Sequence, residues 1–214
     1  MNLPFTRDQF FEVFARYNEG VLPLQLALFL LALSAFGAMV IRRRGSDRVV
    51  SAILAGLWAW MGIVYHFIYF APVNAAAPVF AAMFLAAAAL FAWQGVVRGR
   101  LVFDGDSRAR RIAGHALVTY ALVVYPLLSL LLGRQFPALP TFGLPCPTTI
   151  FTIGMLAFLS QPFPRYVLVV PVAWAFIGGQ AAFLLAVPED LGLLLAGLAG
   201  LWLAFDRPRE RRPA

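Results

Sequence analysis

Two side chains in this sequence join reactive chemistry to an apolar setting. Cys146 lies in the stretch Thr141-Phe-Gly-Leu-Pro-Cys-Pro-Thr-Thr149, and His66 lies in Val64-Tyr-His-Phe67. Proline suits the first position of a helix. Pro147 therefore predicts a helix opening there, with Cys146 as its N-cap. The amides of Thr148, Thr149 and Ile150 would then be free, and a helix N-terminus with free amides favours anions. His66 falls 17 residues past the start of its apolar run, about 25 Å along a helix and within about 5 Å of the depth expected for Cys146. Tyr65, Tyr69, Asn74, Tyr125 (followed by Pro126) and Gln180 fall near the same level. These residues, with Thr148 and Thr149, form the candidate binding set, since polar groups inside a membrane mark sites by default.

Other chemistries are less well supplied. Cys146 and His66 could offer two ligands to a metal, and Met61, Met83 and Met155 could add soft donors for an ion such as Cu(I). Two strong ligands fall short of the four that zinc usually takes. His115 sits roughly 20 Å in depth from His66, so the two cannot share one haem; it reads as an interfacial residue. There is no lysine, which removes Schiff-base chemistry. No acidic residue falls inside an apolar run, and Glu189 and Asp190 are expected at the outer mouth. A carboxylate relay or a Ser–His–Asp triad is therefore not expected.

The stretch carrying Cys146 also contains Pro137, Pro140, Pro145 and Pro147. These cannot donate backbone hydrogen bonds and bias their predecessors to extended geometry. A helix beginning here and ending near residue 160 has 13 residues and a length of about 20 Å, some 10 Å short of a bilayer core. Its inner end is tied to Gln161 and Arg165, so the deficit falls at the outer end. Extended backbone at that depth survives when shielded by protein or lining a wet cavity. Such interrupted helices are the best sequence pointer to a membrane binding site.

The elements that must position these residues follow from composition. The chain has 214 residues, 62% hydrophobic and 13% charged. Soluble domains run about 45–50% apolar and about 25% charged. Seven apolar runs occur, at about 21–41, 49–70, 75–97, 112–132, 148–160, 166–186 and 190–205, and most suit helices crossing a bilayer. Before them, residues 5–18 read as a short amphipathic interfacial helix. Thr6 and Gln9 give a capping-box start, and Phe10, Val13, Phe14 and Tyr17 share one face. Arg7, Arg16 and Arg134 lie on one side of the expected membrane; the other arginines, among them the 207–214 tail, lie on the opposite side. The positive-inside rule then puts the N-terminus outside and the C-terminus in the cytoplasm. The net charge of +7 has its cause there, and nucleic acid is not an expected partner. Alanines at 75–77, 81, 82 and 86–89, and glycines at 178, 179, 192, 197 and 200, predict close helix contacts.

Pro4-Phe5-Thr6, Tyr17-Asn18, Tyr65-His66, Asn74, Tyr125-Pro126 and above all the Thr141–Thr149 stretch resemble a bacterial multi-pass membrane family known only as a domain of unknown function. The resemblance covers nearly the whole chain and implies a bacterial inner-membrane protein. It implies no activity, cofactor or catalytic residue. The fold expected is therefore all-α, a single membrane domain over 1–214 with seven transmembrane helices and a discontinuous fifth. The function expected is binding or permeation of a small solute or metal ion from the outside. The alternatives are a membrane thiol or redox enzyme using Cys146 and His66, and a structural or accessory subunit. Partners would be the bilayer, a small solute or ion, and a second copy or another membrane protein.

Overall fold

The computed structural model describes residues 4–105 and 107–206; the basic tail 207–214, with its arginines, lies outside them. The described chain is all helical. α1 spans Arg7–Ile41, α2 Ser46–Phe70, α3 Ala77–Val97, α4 Arg108–Leu131, α5 Pro145–Leu156, α6 Arg165–Leu184 and α7 Pro188–Phe205. All but α5 are long and apolar enough to cross a membrane. Their outer faces carry large apolar residues, such as Leu26 at 64%, Val79 at 69% and Leu195 at 63% exposure. Water would not tolerate such a surface, whereas lipid does.

The N-terminal amphipathic segment is not a separate interfacial helix. The capping box forms as expected, with Thr6 Oγ1 accepting from Gln9 N at 3.2 Å and Gln9 Oε1 from Thr6 N at 2.8 Å. The helix then continues unbroken to Ile41, with Pro23 inside it. Phe10, Val13, Phe14 and Tyr17 face protein rather than lipid, in a cluster with Tyr65, Phe70, Leu144, Leu185 and Val187. A continuous helix keeps the backbone around residues 18–22 paired, except for the Glu19 carbonyl that Pro23 cannot serve, whereas an interfacial break would free more groups.

α2 and α3 pack against each other, α2 also against α1, and α6 against α7. The α6–α7 contact uses the small residues read from sequence: a Cβ on Gly179 would lie 2.4 Å from Leu194 Cδ2, and one on Gly200 2.5 Å from Val172 Cγ2. α5 stands inside this wall, touching α4, α6 and α7, and all of its residues are buried. Its C-terminal end is pinned where the arginine-bearing connections gather. There Phe103 pairs with Leu159, Ser160 N donates to Val102 O at 2.7 Å and Gly105 N to Phe158 O at 2.7 Å. The 12 residues of α5 reach about 18 Å, against the roughly 30 Å of a bilayer core. The broken fifth helix is thus real, and its missing length is at the end away from the arginines.

The start of α5 differs from expectation. Leu144 is the N-cap, extended at φ −77° and ψ 154°, and Pro145 takes the first helical position. Cys146 is therefore inside the first turn, not the cap. The helix can open early because the first-turn amides have no intrahelical acceptor, so two prolines there lose nothing. Thr148 N already donates to Leu144 O at 3.3 Å. Of the first three helical residues, Pro145 and Pro147 have no N–H to offer, and the expected set of free amides is reduced to that of Cys146.

Candidate functional site

The residues above α5 have no helix of their own, and α1 supplies their hydrogen bonds. Asn18 Nδ2 donates to Pro137 O at 2.5 Å and Leu139 O at 2.7 Å. Thr141 Oγ1 donates to Asn18 Oδ1 at 2.9 Å, and Gln25 Nε2 donates to both Thr141 Oγ1, at 2.9 Å, and Asn18 Oδ1. Asn18 and Gln25 are seven residues apart, so they share a helix face. Tyr17 Oη donates to Gly143 O at 3.1 Å and accepts from Trp60 Nε1 at 2.8 Å. Gly143 has φ +98°, and its amide donates to Thr148 Oγ1 at 3.1 Å. Irregular backbone is thereby shielded by protein, as membrane depth requires.

Below this roof, α7 brings acids to the thiol and α4 brings their hydroxyl partners. Glu189 and Asp190 are not at an open mouth: they are 0% and 1% exposed. Asp190 accepts from Tyr125 Oη at 2.7 Å and from the Cys146 thiol. Glu189 accepts from Ser129 Oγ at 2.5 Å and pairs with Arg134. Arg134 also donates to Ala186 O at 2.7 Å and lies 4.6 Å over the Phe11 ring. The acids could sink inward because the short turn Pro188–Asp190 folds over α4, where Tyr120 Oη donates to Glu189 O at 2.8 Å. Their polar partners were spread along the chain at 120, 125, 129, 134 and 146, so the sequence alone did not pair them.

A cavity of about 180 Å³ adjoins Cys146. Tyr65, Asn74, Tyr125, Cys146 and Gln180 from the candidate set line it, among Phe10, Phe14, Phe70, Phe80, Trp174 and aliphatic residues. Among the described residues its lining carries no formal charge. A second crevice of about 230 Å³ lies between α1 and α4, bordered by Gln25, Leu26, Phe29, Ala121, Leu122 and Pro126, and shares Tyr125, Pro140 and Pro147 with the first.

His66, Tyr69, Thr148 and Thr149 do not line that cavity. His66 is fully buried in the π-helical end of α2, its ring against Phe84 at 4.5 Å, Trp174 at 4.9 Å, Tyr65 at 5.1 Å and Phe80 at 5.7 Å. Neither imidazole nitrogen has a hydrogen-bond partner, nor has Trp174 Nε1 or Thr149 Oγ1. Tyr69 packs on Tyr17 at 5.5 Å. Asn74 accepts from Ala76 N at 3.0 Å in the turn before α3. Thr148 closes the Gly143 turn as described. Gln180 is exposed and donates to Phe176 O at 3.5 Å. Met61 and Met155 are core residues. His115 is exposed, 4.9 Å from the Phe158 ring. Among the described residues no three of His, Cys, Asp and Glu gather to hold a metal ion.

The sequence reading passed over Gln25, Ser129 and Trp174, and used Asn18 only in the family resemblance, not as a site residue. For Gln25 the signal was present: an amide inside an apolar run must find a partner in protein. Nothing in the spacing of the apolar run marked Trp174.

A bundle of membrane-length helices around a short buried one, with irregular backbone held by α1, defines the class: a helical multi-pass protein. Within that class, the chain belongs to DUF6064, a family of unknown function, whose pattern it matches over residues 7–213. No curated protein and no solved structure matches it.

Proposed function

We propose that this chain is a bacterial inner-membrane protein, N-terminus outside, that binds a small solute in the cavity above the broken α5. The carrying observation is the cavity itself: about 180 Å³, set where a helix stops short. Aromatic and aliphatic walls with a few convergent polar groups are the usual make-up of a small-molecule site. An apolar cavity of about 150 Å³ takes a benzene-sized molecule, so the solute is compact and mainly apolar. A metal ion is disfavoured, because the lining thiol is engaged by Asp190 and the His66 imidazole, outside the lining, is ringed by aromatics, which does not make a zinc or copper donor set. The crevice between α1 and α4 meets the cavity across Tyr125, Pro140 and Pro147, which supports entry from the lipid past a thin partition.

4-Fluorotoluene tests this reading by ¹⁹F NMR on purified protein in detergent. A saturable bound resonance is expected, lost in Ala181→Phe, whose ring would fill the cavity that Ala181 lines. Partitioning that never saturates, identical in both proteins, would refute it.

A further inference from the structure

Trp174 Nε1 is buried without a partner, and so are both nitrogens of His66. Native proteins pair almost all buried polar groups, so an orphan among them calls for an explanation. Three such atoms belong to two rings in contact, 4.9 Å apart and near perpendicular at 78°. Their surroundings are aromatic: Phe80 and Phe84 touch both rings. Nothing in that shell accepts a hydrogen bond from the indole.

The indole N–H also has a direction. A Cβ built on Gly178 would lie 3.1 Å from both Nε1 and Cε2 of Trp174. The N–H edge of the ring is therefore turned toward Gly178. Gly178 and Trp174 both line the 180 Å³ cavity. Glycine at this position adds no side chain against that buried edge, which a Cβ would crowd. Of the other polar groups in the lining, Tyr125 and Cys146 are engaged with Asp190, Asn74 with Ala76 and Gln180 with Phe176.

We propose that Trp174 Nε1–H, next to Gly178 in the cavity wall and packed on the His66 imidazole, is the recognition point for the cavity solute, which is a small neutral molecule with an apolar body and one hydroxyl or carbonyl oxygen. This rests on the solute-binding reading above. The oxygen accepts from the indole. Neutrality follows from the lining, which sets no formal charge opposite the solute. A site built to hydrogen-bond an oxygen rejects the analogue that lacks it, because its own polar group is then left unpaired.

The experiment compares 4-fluorophenol with 4-fluorotoluene, nearly equal in shape, on the full-length protein by ¹⁹F NMR titration. The phenol is expected to bind at least about tenfold tighter, equivalent to about 1.4 kcal/mol. That ratio should fall toward one in Trp174→Phe, which removes the N–H, and in Gly178→Ala, whose methyl covers it. His66→Leu gives a third reading should either variant fail to fold. Equal affinities in the unaltered protein overturn the inference while leaving solute binding intact, and would mean the orphaned nitrogens hold an internal water only. A preference that persists unchanged in the variants overturns it as well. Failure of both probes to bind removes the solute-binding reading and this inference with it.

Discussion

Replacing Asn18 by alanine removes the centre of the hydrogen-bond set that holds residues 137–141. Asn18 is fully buried. Its amide serves Pro137 O and Leu139 O, and its oxygen accepts from Thr141 and Gln25. Gln25 keeps Thr141 as a partner, so three groups are left without theirs: two carbonyls and one hydroxyl. At about 1 kcal/mol net for each, the loss is about 2–3 kcal/mol. For a chain of this size that lowers the melting temperature by roughly 5–10 °C. Loosening the segment also uncovers Cys146, now 8% exposed. The assay is a thermal melt in detergent paired with the rate of Cys146 labelling by a membrane-permeant maleimide. The variant should melt lower and label several-fold faster, and Gln25→Ala, which orphans fewer groups, should show a smaller change. An Asn18→Ala protein with unaltered melting and labelling would refute the idea that α1 holds this segment in place.

Arg134→Gln leaves the buried Glu189 without its cation and should destabilise the protein by about 3–5 kcal/mol; adding Glu189→Gln should recover most of that, as thermal melts of the single and double variants will show. Asp190→Ala strips the acceptor from Tyr125 and Cys146, with an expected loss of about 2–3 kcal/mol in the same assay. Gly20→Ala would place a Cβ 2.0 Å from Tyr69 Oη; it should lower the melting temperature, and Tyr69→Phe in the same chain should restore it. Unaltered labelling of Cys146 in Asp190→Ala would count against the thiol–carboxylate contact.

The chain order of helices was legible from apolar runs alone, because lipid imposes both a length and a composition on whatever crosses it. The break before α5 was legible too, since four prolines in eleven residues, 137–147, exclude a continuous helix. Prolines do not say where helix resumes, and the start fell at Pro145 rather than Pro147 because first-turn amides need no acceptor. The N-terminal segment shows the other limit. Its apolar face was plain in Phe10, Val13, Phe14 and Tyr17, but periodicity reports that a face is apolar, not whether lipid or protein covers it. Only the packing of that face on Tyr65, Phe70 and Leu185 made Phe10 and Phe14 part of the cavity wall. Likewise Cys146 was found from its setting, whereas its partner Asp190, 44 positions later, was read as a mouth residue. Hydrogen-bond partners separated by that much chain meet through tertiary packing, and no local spacing rule encodes them. The sequence by itself determined the solvent of this protein, its helices and the place where one of them fails. The tertiary structure decided which polar groups satisfy one another there, and which, at Trp174 and His66, are left over.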